Sequence, residues 1–94
     1  MKRPYVIVRT YSAGVFAGNL VSKKGKEVKL SNARRIWYWK GAASLSQLAM
    51  EGVKCPDECK FAMPVDVELT EAIEILTTTK AAKENIESVK IWKQ

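Results

Sequence analysis

The sequence contains no histidine, and that absence removes much of the usual catalytic repertoire. Without an imidazole there is no Ser–His or Cys–His pair to activate a nucleophile, and no nitrogen ligand for zinc. Cysteine is scarce too: Cys55 and Cys59 stand four apart around Pro56-Asp57-Glu58. Zinc needs about four ligands, so a metal site within one chain would have to recruit carboxylates, and the spacing is not that of a Cys-x-x-Cys redox pair. Two reduced thiols suit a cytoplasm; a local disulfide is the alternative. No apolar run approaches the roughly 18 residues of a membrane span. The basic Lys2-Arg3 is not followed by a signal-peptide core and cleavage site. Walker and dinucleotide glycine loops are both missing. Together these absences lead us to expect a cytoplasmic, non-enzymatic chain with no cofactor and no metal.

Acidic residues are almost missing from one half of the chain. Residues 1–40 hold ten Lys or Arg against the single acid Glu27, whereas residues 41–94 hold six Lys and nine acids. Two readings follow. The N-terminal half presents a positive face to an anion, or the halves neutralise each other, within a subunit or between subunits. At 94 residues the chain makes one domain with a small core. A domain of this size often gains stability from partner subunits, so a homo-oligomer is expected.

Hydrophobic alternation organises what is present. Pro4 to Tyr11 reads as a strand with Val6 and Val8 on one face and Tyr5, Ile7, Arg9 and Tyr11 on the other. Val15 to Lys23 reads as a second strand, in which Gly18 marks a bulge or a close backbone approach. Lys23-Lys24-Gly25-Lys26 is the clearest turn; its three lysines read better as a solvated tip than as a site. Glu27 to Trp39 reads as a third strand, interrupted at Ser31-Asn32. Ser44 to Glu51 reads as a helix: Ser44 and Gln47 have the spacing of a capping box, and Gly52 suits the position that ends it. Val65 to Leu76 fits a strand or a helix, with its β-branched residues favouring the strand. Lys80 to Val89 follows as a second helix capped by a threonine. Lys90-Ile91-Trp92-Lys93 is a docked tail or a short last strand. The fold class is therefore α+β: an antiparallel β-meander of three to five strands with two short helices, able to curl into a small open barrel.

The stretch Arg34-Arg35-Ile36-Trp37-Tyr38-Trp39-Lys40 is the most informative. Arginine pairs bidentately with phosphate, and aromatic rings offer faces on which a base stacks. The small residues Gly41-Ala42-Ala43 then lead into the helix start at Ser44, where free N–H groups favour an anion. Arg9, Tyr11 and Ser12 join the set if the first and third strands are neighbours. The candidate ligand-binding residues are thus Arg9, Tyr11, Ser12, Arg34, Arg35, Trp37, Tyr38, Trp39, Lys40 and Ser44. The competing reading makes the tryptophans core, lets Ser44 and Gln47 satisfy the helix start themselves, and leaves Arg9 to Ser12 as a polar strand end.

Through Arg9-Thr10-Tyr11-Ser12-Ala13-Gly14-Val15, Arg34 to Trp39, and Ala43-Ser44-Leu45-Ser46-Gln47-Leu48-Ala49, the chain resembles a family of small bacteriophage proteins of unknown function. That resemblance runs from about Val6 to Trp92 and implies expression inside a bacterial host cell. In size and chemistry alone the chain also looks like phage sponges, small oligomeric proteins that sequester cyclic nucleotide or cyclic ADP-ribose defence signals. The expected function is sequestration of such a nucleotide-derived anion without turnover. The alternatives are an RNA- or single-stranded-DNA-binding module and a factor that binds a host protein.

Overall fold

The computed structural model describes residues 3–12 and 14–92. Ala13 of the expected bend and Lys93 of the expected tail lie outside them. Six strands and two helices follow in the order β1 (Tyr5–Thr10), β2 (Val15–Lys24), β3 (Glu27–Tyr38), α1 (Leu45–Glu51), β4 (Lys60–Phe61), β5 (Val65–Leu69), β6 (Ala72–Thr77) and α2 (Lys80–Ser88). The fold is α+β, an antiparallel meander curled into a small open barrel with two helices.

The first three strands pair in sequence order, with Val8 opposite Phe16 and Lys24 opposite Glu27 across the hairpin tip. Gly25 takes φ +60 there, a value that favours glycine. Gly18 serves the close approach its position suggested: a Cβ at that site would lie 2.8 Å from the Ala33 Cα on β3. The interruption at Ser31-Asn32 is real. Asn32 has φ 48, and the register against β5 shifts between Leu30 and Ala33.

The segment that fitted either a strand or a helix is strand, in two pieces. β5 pairs antiparallel with β3 and β6 pairs antiparallel with β1. Because β1 and β3 both run against β2, β5 and β6 run the same way. They are one strand with a corner at Thr70-Glu71, passing from one edge of the meander to the other. Backbone bonds hold the corner: Tyr11 N donates to Glu71 O at 3.0 Å and Ala72 N to Lys26 O at 3.1 Å. This corner is what curls the sheet.

Strand alternation then divides the core in two. Val6, Val8, Phe16, Val28, Leu30, Ala33 and Leu69 fill the inside of the curl. Tyr5, Ile7, Ala17, Ile36 and Phe61 line its outer face, covered by Leu48 and Ala49 of α1 and Ile86 of α2. β1 is buried on both sides, as expected of a central strand.

The helix ends follow local chemistry. Ser44 Oγ accepts from Gln47 N at 3.2 Å, and Gln47 Oε1 accepts from Ala43 N at 2.8 Å, so the reciprocal bond reaches one residue further back than in the usual box. Thr79 Oγ1 caps α2 by accepting from Ala82 N. In the tail, Ile91 makes one parallel bridge to Phe61 and Trp92 N donates to Phe61 O at 2.9 Å. Among the described residues no helix is long and apolar enough to cross a membrane. Cys55 and Cys59 are free thiols.

Candidate functional site

Strand β3 carries Arg34 and Arg35 to opposite faces, and the two arginines meet opposite fates. Arg34 points toward the helices and is 2% exposed. Its Nε donates to Ala62 O at 2.9 Å, Nη1 to Ile86 O at 2.8 Å and Val89 O at 2.6 Å, and Nη2 to Phe61 O at 3.2 Å. Burial lowers its pKa and Tyr5 opposes that shift, while an arginine remains protonated near neutral pH. A charge is satisfied here by carbonyls alone, two of them at the C-terminal end of α2, where the helix dipole favours a cation. Arg34 ties α2 to the strand containing Phe61 and has no fork left for a phosphate.

Arg35 points the other way, into the mouth of the curled sheet. Its Cζ lies 4.8 Å from the centroid of the Phe16 ring and 5.8 Å from that of Trp37. Its Nε is buried without an acceptor. Arg35, Phe16, Trp37, Ala62, Met63, Val65 and Val67 line a hollow of about 240 Å³ at that mouth. No acid is among them, so the guanidinium there is not neutralised.

Trp37 forms the rim and is 59% exposed. Trp92 of the tail stands beside it, with ring centroids 6.3 Å apart and planes at 62°. Trp92 is 36% exposed, and Lys60 Nζ lies 5.4 Å from its ring. Two accessible indoles and two cations therefore gather at one end of the barrel.

The remaining candidates do not join them. The sequence places Arg35, Trp37 and Trp39 on one face, but β3 ends at Tyr38 and its register against β4 shifts between Ile36 and Tyr38. Trp39 turns back and packs against the helix-covered core. Tyr38 is exposed. Lys40 is bound to Glu58 at 3.0 Å, which raises its pKa, and Arg9 to Glu74 at 3.2 Å. Ser12 Oγ donates to Glu71 Oε1 at 2.8 Å. Tyr11, 78% exposed, borders a different depression with Lys26, Glu71 and Ile73. Ser44 serves its own helix. A larger depression, about 450 Å³, sets Asp66 and Glu68 against Arg3 and Lys29. Its mixed charge gives an anion no preference, and none of the sequence candidates lines it.

Sequence reasoning missed Trp92, Lys60 and Phe16 as members of the cluster. The tail Lys90-Ile91-Trp92 gave a signal, an aromatic between cations, but nothing local says which strand the tail meets.

Residues 3–86 match the family described as Domain of unknown function (DUF6948). The chain belongs to that family. The DUF6948 match contains Arg35, Trp37 and Lys60 and stops short of Trp92. No curated protein and no solved structure matches the chain.

Proposed function

We propose that this DUF6948 protein binds the bases of single-stranded nucleic acid, without turnover, on the Trp37–Trp92 face at the barrel mouth. The observation that carries the reading is the pairing of two solvent-accessible indoles with an unneutralised guanidinium and Lys60 beside them. Base–aromatic stacking is tolerant of sequence and works on an open surface, and this face is open. The hollow of about 240 Å³ falls below the roughly 300–1,000 Å³ of typical small-molecule sites. It suits one base of a strand better than a whole cyclic nucleotide or cyclic ADP-ribose. Sequestration of such a signal, the phage-sponge reading, would need a second copy of the chain to close the site.

Fluorescence anisotropy with labelled single-stranded DNA and RNA octamers tests the proposal. Trp37→Ala and Trp92→Ala should each weaken binding about tenfold, within the 1–3 kcal/mol expected per stacked base. Absence of binding, or binding that survives both substitutions, overturns it. A thermal shift with cyclic nucleotides, alongside a dimer in analytical ultracentrifugation, would transfer the face to the small-ligand reading.

A further inference from the structure

The hollow has an unusual electrical composition. One guanidinium lies against Phe16, with Trp37, Met63, Val65, Val67 and Ala62 completing the wall. Arg35 Nε is buried with no acceptor, and neither ion pair among the described residues involves Arg35. Nε is enclosed by protein, so a ligand in the hollow meets the other guanidinium nitrogens, whose charge no lining acid offsets.

A phosphate fits this chemistry poorly. It is strongly hydrated, and with one cation and otherwise apolar walls the loss of that hydration would be badly compensated. A neutral, flat ring carrying two adjacent acceptors fits well. Its faces suit the apolar wall and its edge suits a planar donor fork. Guanine offers this edge as O6 and N7, the commonest partner of arginine among the bases. Adenine sets an N6 amino donor beside N7, which points a donor at a donor. Uracil and thymine flank O4 with the N3 donor. Cytosine has paired acceptors at O2 and N3 but only one ring to lay against the wall.

Building on the base-stacking reading above, we infer that Arg35 reads a guanine that enters the barrel mouth from a strand held on Trp37 and Trp92. Stacking supplies affinity for any sequence, and Arg35 supplies a preference at one position.

The experiment uses thymidine octamers with one central dG, dA, dC or 7-deaza-dG, titrated against the full chain by anisotropy. The dG oligomer should bind roughly tenfold tighter than the dA oligomer, the discrimination expected of one bidentate pair. The 7-deaza base lacks the N7 acceptor and should lose most of that advantage on the unaltered protein, whatever any variant does to folding. Arg35→Met removes every donor at that position; it should bind all four oligomers about equally. Equal binding of dG and dA by the unaltered chain, an undiminished 7-deaza-dG, or a preference for dC overturns the inference and leaves the stacking proposal standing. Failure of every oligomer to bind overturns both.

Discussion

Arg34 and Arg35 are neighbours in sequence, identical in chemistry and opposite in use. Four hydrogen bonds from Arg34 go to the carbonyls of Phe61, Ala62, Ile86 and Val89, of which Phe61 O also accepts from Trp92 N and Ile86 O from Val89 N. Arg34→Ala should therefore destabilise the fold by about 3 kcal/mol, in the range for breaking a buried charged network. Chemical denaturation measures this. Arg35→Met removes a donor that has no acceptor and adds apolar contact at the mouth, so it should change stability by less than about 1 kcal/mol. A large loss from Arg35→Met and none from Arg34→Ala would reverse the assignment. Tyr5, packed beside Arg34, belongs to the same structural group. Burial raises its pKa above the ordinary tyrosine value, helped by Glu87 and opposed by Arg34.

Among the elements, α1 separates a structural motif from a functional one. Its start has the small residues and free N–H groups that an anion site uses, yet the bond from Gln47 N to Ser44 Oγ and that from Ala43 N to Gln47 Oε1 occupy donors there. Ser44→Ala should lower stability by about 1 kcal/mol, the usual cost of losing a cap, and leave nucleic-acid affinity unchanged at a temperature where the variant is folded. Loss of affinity in the folded variant would return the helix start to the site. The capping pattern was legible in the sequence because it depends on residues three apart. That the cap satisfies itself was equally legible, since Ser44 and Gln47 can do so without any partner.

Over the whole molecule, the polar division of charge is largely folded away. Acidic β5 and β6 lie along basic β3 and β1, with Glu68 opposite Lys29 and Glu74 bound to Arg9. This favours mutual neutralisation over a continuous positive face. At the barrel mouth Arg35 and Lys60 are the cations on the ligand side. For single strands log K falls with log salt by about 0.7 per neutralised phosphate; with Arg35 engaged by a base, Lys60 is the cation left to phosphate and a slope of about −0.7 is expected. Titration between low and physiological salt measures it. A slope several times steeper would mean that the strand follows the lysine-rich hairpin and the wider basic half instead.

The sequence alone determined the first three strands, the Gly25 turn, both helix caps and the two faces of β1; it left residues 65–76 open between strand and helix and did not reveal β4. Each legible feature depends on interactions between residues a few positions apart, where alternation, positive φ and hydrogen-bonding reach are local properties. Only the tertiary structure decided the site. Alternation shows that Arg34 and Arg35 face opposite ways but not which face receives α2. A register shift of the last β3 residues, invisible in an aromatic run, lays Trp39, half-buried, against the core and leaves Trp37 exposed. Pairing of the tail with β4 brings Trp92 to Trp37 from the far end of the chain. These outcomes depend on which surfaces meet at long range, and the local pattern of residues carries no record of that.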